Sequence, residues 1–227
     1  MRWHRSFITG LNIKMNKTIK NTAQILLISL LIINLVGCFP LIIGGVAETA
    51  LVLGDRRPVS VVTLDRGIQL EADSLISKKF QDNVHVNVNV FNQKVLLTGE
   101  ATTQALKDQI QNSILPVKNV KNIVNEIQIG IPSSTSSRLS DSSLFTLVKA
   151  KLITTNDVPT NSIKITVEAG SVYLMGITTE LEAKAAATVT SKSSSSIKQV
   201  VKLFDIITEE EKKKLVNAST PPAQTKP

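Results

Sequence analysis

The chain has 227 residues, 42% of them hydrophobic and only 4% aromatic, with 26 Lys+Arg against 18 Asp+Glu for a formal charge of +8. The excess lies at the front, where residues 1–37 hold Arg2, Arg5, Lys14, Lys17 and Lys20 and no acid, so the remainder carries 21 basic residues against 18 acids, a net +3. So weak a balance, without interleaved aromatics, excludes the clustered basic face of a nucleic-acid-binding protein.

In chain order, Lys17 and Lys20 precede an apolar stretch from Ile25 to Val36, which Leu35-Val36-Gly37-Cys38 closes with a small residue and the sole cysteine. A basic start, an apolar run and a small residue at the cleavage point form a signal peptide. A membrane-spanning helix needs about 20 predominantly apolar residues, whereas this run is interrupted by Ser29 and Asn34 and stops at Gly37. Residues 1–37 therefore read as a lipoprotein-type signal, with Met15 as the expected true start, and Cys38 as the lipidation site. A lone thiol has no internal disulfide partner. Acylation consumes it, and two or three acyl chains hold a protein where one binds only marginally. Phe39 stands where similar lipoproteins retained at the inner membrane carry aspartate, so the expected location is the periplasmic face of the outer membrane. Residues 38–62, the lipidated cysteine and linker, are apolar up to Leu53 and are broken by Gly54-Asp55-Arg56-Arg57-Pro58.

An internal repeat organises the rest of the chain. Val86-Asn87-Val88-Asn89-Val90 recurs as Ile163-Lys164-Ile165-Thr166-Val167, and Val95-Leu96-Leu97-Thr98-Gly99 as Val172-Tyr173-Leu174-Met175-Gly176, at an offset of 77 residues. The same offset carries Val120, Ile123, Val124 and Ile127 onto Ile197, Val200, Val201 and Phe204, and Leu75-Ile76 onto Leu152-Ile153. Two copies of one small domain are expected at 63–130 and 141–208, joined by a linker at 131–140 and followed by a charged, disordered tail at 209–227.

Within each copy the hydrophobic period changes in a fixed order. Residues 65–80 place Ile68, Ala72, Leu75 and Ile76 at helical spacing. Residues 84–90 alternate as a half-buried strand. Asn92-Gln93 and Ala169-Gly170 turn the chain into a second strand at 94–98 or 171–175, which Gly99 and Gly176 are expected to end. A helix at 102–115 (179–193 in the copy) points Leu106, Ile110 and Ile114 inward, and a last strand covers 120–129 or 197–207. The fold class is α+β, two tandem αββαβ domains, each a three-stranded mixed sheet with two helices packed on one face.

This order, with its Val95-Leu96-Leu97-Thr98-Gly99 arm and the Val117-Lys118-Asn119-Val120 approach to the last strand, resembles the BON domain. Two such domains behind a lipobox resemble the dual-BON outer-membrane lipoproteins of the DolP type. Asp55-Arg56-Arg57, Asp65, Glu71 and the stretch from Thr179 to Ala187 add local matches. The sequence departs from the family with Asn119 and Ser196 where glycine usually precedes the last strand; serine tolerates the left-handed conformation less well than asparagine, so a looser turn is expected in the second copy.

Nothing supports catalysis. His85 is the sole histidine after Cys38, without a second histidine or a thiol to complete a metal or nucleophile site, and it reads as a surface residue. Glu71 and Asp73, two apart on a helix, point in different directions. We expect a non-enzyme with neither cofactor nor metal. The contrast between the copies is more informative. At offset 77, Gly67, Glu71 and Ser74 become Leu144, Val148 and Lys151, and no acid occurs between Asp141 and Asp157, where Lys149 and Lys151 lie. An apolar ridge flanked by lysines suits an anionic bilayer, and the resemblance implies phospholipid contact through this helix. The candidate phospholipid-binding residues are Leu144, Leu147, Val148, Lys149, Lys151 and Val158, with phosphatidylglycerol or cardiolipin as partners; Phe145, Leu152 and Ile153 read as the helix's core side. The expected function is anionic-phospholipid binding in support of outer-membrane integrity. The alternative is an adaptor docking on an envelope assembly machine or a peptidoglycan-associated partner, through an edge such as the strand Val84–Val90.

Overall fold

The computed structural model describes residues 54–80 and 84–219; the signal segment, Cys38 and the linker up to residue 53 lie outside them, as do 220–227. The elements are α1 (Val59–Phe80), β1 (Val84–Phe91), β2 (Lys94–Ala101), α2 (Gln104–Ile114), β3 (Asn122–Asn125), β4 (Gln128–Ile129), α3 (Thr135–Ile153), a 3-10 turn (Thr160–Ser162), β5 (Ile163–Glu168), β6 (Ser171–Thr178), α4 (Glu180–Ser193), β7 (Gln199–Ile206) and α5 (Glu209–Ser219).

Each copy forms its own mixed sheet. In the first, β1 pairs antiparallel with β2, and β3 and β4 run parallel to β2 on its other side. In the second, β5 pairs antiparallel with β6 and β7 runs parallel to it. Both hairpins use turns with positive φ at two successive residues, Asn92 (51°) with Gln93 (65°) and Ala169 (50°) with Gly170 (80°), whose twist suits a tight connection. Gly99 does not end β2. It sits inside the strand at φ +111°, where a Cβ would strike the His85 carbonyl, and pairing continues to Ala101; β6 likewise continues past Gly176 to Thr178.

The helices cover one face of each sheet. Ile68, Ala72, Ile76, Ile110 and Ile114 close over Val88, Val90, Val95 and Leu97; Leu144, Val148, Leu152 and Ala186 close over Ile163, Val172 and Leu174. The opposite faces meet each other, burying Phe91 and Leu96 from the first sheet with Tyr173, Met175 and Ile177 from the second. The order is thus helices, sheet, sheet, helices.

The copies are in register at two different offsets. The strands keep 77: Lys94 faces Asn122 and Ser171 faces Gln199. The helices do not. Asp65 of α1 accepts the Asn92 and Gln93 amides at 2.7 Å each, and Asp141 of α3 accepts those of Ala169 and Gly170 at 2.9 Å each. These equivalent carboxylates are 76 apart. Ile68, Ala72 and Ile76 therefore correspond to Leu144, Val148 and Leu152, all buried, and a one-residue slip turns a helix by about 100°. The same holds for the second helices, capped by Thr103 and Thr179, each accepting the amide three residues on. Two expectations fall with the slip: Leu75 is 36% exposed and Ile153 is 59% exposed.

Two further corrections concern the ends. Helix α1 begins at Val59, before residue 65, because Pro58 offers its carbonyl to the Val61 and Val62 amides. Residues 209–219 are helical where their composition suggests a disordered tail: Thr208 and Glu211 exchange hydrogen bonds as a cap, and Leu215 packs against the seam between the sheets.

Candidate membrane-facing surface and the interdomain groove

Helix α3 starts where Ser134 accepts the Ser137 amide. Its core stripe, Leu144, Val148 and Leu152, follows the i, i+4, i+8 spacing of one helix side. Leu144 is 7% and Val148 0% exposed, so these two of the expected contact residues belong to the core, because the helix is registered one residue away from the offset that put them outside. Val158 is half-buried and packs against the same core. Lys149 and Lys151 are exposed, and Leu147 is 39% exposed.

With about 100° per residue, the remaining candidates occupy two flanks. Leu147 and Lys151, four apart, lie on one. Lys149 lies on the other with its ammonium 5.7 Å from the Phe145 ring centre. Between them runs an outer line with Leu139 (69% exposed) and Ile153. Leu139, Leu147 and Ile153 put three large apolar side chains in solvent on one helix.

The Lys149 flank borders a groove of about 570 Å³ between α1 and α3, walled by Val62, Arg66, Gln69, Phe145 and Lys149 and floored by Lys164 of β5. Burial pulls the Lys164 ammonium down to about 8, helped by the neighbouring charges of Arg57 and Arg66 and opposed by Asp65 and Asp73. Its Nζ makes only long hydrogen bonds, 3.4 Å to Gln69 Oε1 and 3.3 Å to the Val90 carbonyl. Asp65 is engaged by Arg57 at 2.7 Å and by the hairpin amides. The groove, which Arg57 and Asp65 also line as a pair, therefore offers Arg66, Lys149 and Lys164 with no ion pair of their own among the described residues, an excess of positive charge that attracts anions.

The bridge between the copies is Asp55-Arg56-Arg57. Arg56 forks onto Glu182 at 2.6 and 2.7 Å and donates to the Ile177 carbonyl, while Arg57 pairs with Asp55 and Asp65 and stacks 3.8 Å over Phe91. Burial alone would raise the Glu182 carboxyl, but hydrogen bonds from Arg56, Lys212 and the Thr179 amide outweigh it and hold it at about 2.

With this geometry in place, comparison with known proteins is decisive. The BON domain family pattern matches residues 67–131 and 140–208. The chain belongs to the BON-domain family. It is 32% identical over 174 residues to the outer membrane lipoprotein DolP of Haemophilus influenzae, spanning 76% of this chain and 90% of that protein. It is 29% identical over 129 residues to a 21 kDa hemolysin of Actinobacillus pleuropneumoniae, 57% of this chain and 66% of that protein. Among solved structures, CdsD of the Chlamydia trachomatis type III secretion system aligns over 70% of this chain and 99% of its own at 13% identity, with a TM-score of 0.28. The chain is a dual-BON outer-membrane lipoprotein of the DolP type.

We call residues 67–131 BON1 and 140–208 BON2. Of the residues expected to contact phospholipid, Leu147, Lys149 and Lys151 are exposed on α3; Leu139 and Ile153 are exposed on the same helix, and Arg66 and Lys164 line the groove, without having been among the expected contacts. The missed signal was the pair Asp65 and Asp141, which would have fixed the helix offset. The strand β1 is an edge of the first sheet, paired only with β2 among the described residues; BON2 side chains touch it at two points, where Lys164 donates to the Val90 carbonyl and where the Asn87 side chain donates to Glu168. Among the described residues, no helix is long and apolar enough to cross a membrane.

Proposed function

We propose that this lipid-anchored outer-membrane protein is a non-catalytic binder of anionic phospholipid, phosphatidylglycerol or cardiolipin, and supports outer-membrane integrity by holding BON2 against the bilayer through α3. The observation that carries this reading is the exposure of Leu139, Leu147 and Ile153 along one helix beside Lys149 and Lys151, with no acid from residue 142 to 156. Apolar side chains on such a face enter the acyl boundary while ammonium groups meet phosphates. Each lysine near an anionic surface contributes about 1 kcal/mol, roughly fivefold in affinity. Leu144 and Val148 are left out of the contact set, and Val158 has at most its half-exposed edge to offer. A tether at Cys38, which lies outside the described residues, would raise the local concentration of BON2 at the bilayer.

The test is a titration of the chain from Phe39 onward with anionic and with zwitterionic vesicles, read by residue-level NMR. Shifts confined to α3 and its groove, seen only with anionic lipid and reduced about 25-fold in apparent affinity by Lys149→Gln with Lys151→Gln, support the proposal. No response to either vesicle, together with specific capture of an envelope protein by the intact chain, transfers the function to the adaptor reading.

A further inference from the structure

His85, the histidine that the sequence places on free surface, instead lies in the seam between the BON domains. The antiparallel register sets it opposite Glu100 on β2, and its Nδ1 is 2.9 Å from Glu100 Oε2 and 3.9 Å from Glu168 Oε1 at the end of β5. One ligand atom from each of the three lies within 4.8 Å of the others. Glu100 and Glu168 are only 6% and 4% exposed. Two buried carboxylates from different domains thus face a single imidazole, and neither is ion-paired to a lysine or arginine among the described residues. Burying charge without a counter-charge costs far more than a hydrogen bond returns.

The hydrogen bonds around the cluster hold its members in place and leave it open on one side. Glu168 Oε2 accepts Asn87 Nδ2 at 2.7 Å and Thr98 Oγ1 at 3.3 Å, while Oε1 accepts none from the described residues. Glu100 Oε2 also accepts the Ser133 amide at 3.2 Å. A cavity of about 400 Å³ lined by His85, Asn87, Arg138, Asp141, Phe145 and Glu168 leads to it. One imidazole nitrogen and two carboxylate oxygens form the borderline donor set that zinc accepts, with the fourth position left to water. Zinc bonds of about 2.0–2.2 Å imply ligand separations of roughly 3.3 Å, between the 2.9 and 3.9 Å that separate His85 Nδ1 from the two carboxylates; with all three ligand atoms within 4.8 Å of one another, closing the site asks the side chains to draw together.

We propose that His85, Glu100 and Glu168 form a binding site for one divalent transition cation of the zinc class, which clamps BON1 to BON2 and keeps its open position toward the cavity. Metal affinity then adds to the stability of the seam by mass action.

The experiment uses the full chain in detergent, stripped with a chelator and titrated with zinc sulfate. Calorimetry is expected to show one equivalent bound, with a rise in Tm that His85→Gln and Glu168→Gln each abolish, while weakening binding at least tenfold. Cobalt(II) in place of zinc should give the visible bands of a tetrahedral N/O site in the parent protein. If either variant fails to fold by circular dichroism, the ring resonances of His85 in the parent, the sole histidine after Cys38, report directly by shifting at one equivalent of zinc. Absence of zinc uptake by the parent, unchanged affinity in a folded variant, or an unmoved His85 ring overturns the site.

Discussion

BON1 carries Leu106 three residues after its cap Thr103, and BON2 carries Glu182 three residues after Thr179. Leu106 packs against its own domain's core. Glu182 turns to the segment that leads into BON1 and takes up Arg56, while accepting a hydrogen bond from the Thr179 amide as a capping box. The same helical position thus stabilises one domain internally and joins the other to its neighbour. The strands of the two domains can match residue for residue, but the chain enters the pair only once, so whatever holds that entry has to break the symmetry.

Writing the BON1 residue into BON2 gives the largest expected effect. Glu182→Leu leaves Arg56 buried without its partner and should cost about 3–5 kcal/mol in urea unfolding. The pH dependence sharpens this. Glu182 titrates near 2 when folded, against an ordinary 4.5, so its contribution is complete above 4.5 and is lost as pH falls from there toward 2. A variant lacking the carboxylate should lose that part of the acid sensitivity, visible as a shallower fall in stability over this window.

Next in size is a test of the 76-residue correspondence between the first helices. Leu152→Ala should cost about 2–5 kcal/mol, whereas Ile153→Ala should stay within about 0.5 kcal/mol. Equal costs would restore the 77-residue alignment of α1 with α3.

The smallest effect compares the carboxylates that hold the hairpins. Asp141→Ala removes two hydrogen bonds from backbone amides and should cost about 1.5–3 kcal/mol. Asp65→Ala removes the same pair and also takes from Arg57 one of its two carboxylate partners, so it should cost more; chemical denaturation of the two variants side by side gives the ranking.

The strand architecture was legible because a period of two survives with no insertion from Val86 to Val90 and again from Ile163 to Val167. The helices misled because their lengths of loop differ by one: Asp65 and Asn92 are 27 residues apart, Asp141 and Ala169 are 28. An offset read from strands was carried into helices, where one residue moves a side chain from surface to core. The packing of sheet on sheet was written in Val95-Leu96-Leu97 and Val172-Tyr173-Leu174-Met175, apolar runs without alternation that mark strands buried on both faces. Asn119 does adopt the left-handed conformation, at φ 67°. Ser196 is not among the residues with positive φ; α4 runs on to Ser193 and the Ser194 side chain accepts the Ser196 amide, so the second turn is built differently from the first. His85 reads as a surface residue in the sequence because its partners are brought together by β-register and by contact between domains, neither of which sequence spacing reveals.

The short run from Gly54 to Arg57 also has a mechanical meaning. Any pull transmitted by the chain ahead of Gly54 arrives at one place, where Ser162 Oγ donates to the Gly54 carbonyl, Arg56 grips BON2 and Arg57 grips BON1. The load is shared between both domains at their common seam rather than drawn through one into the other. A tug on the tether therefore meets two bidentate or stacked guanidinium anchors acting in parallel, before any strand is asked to peel from its sheet.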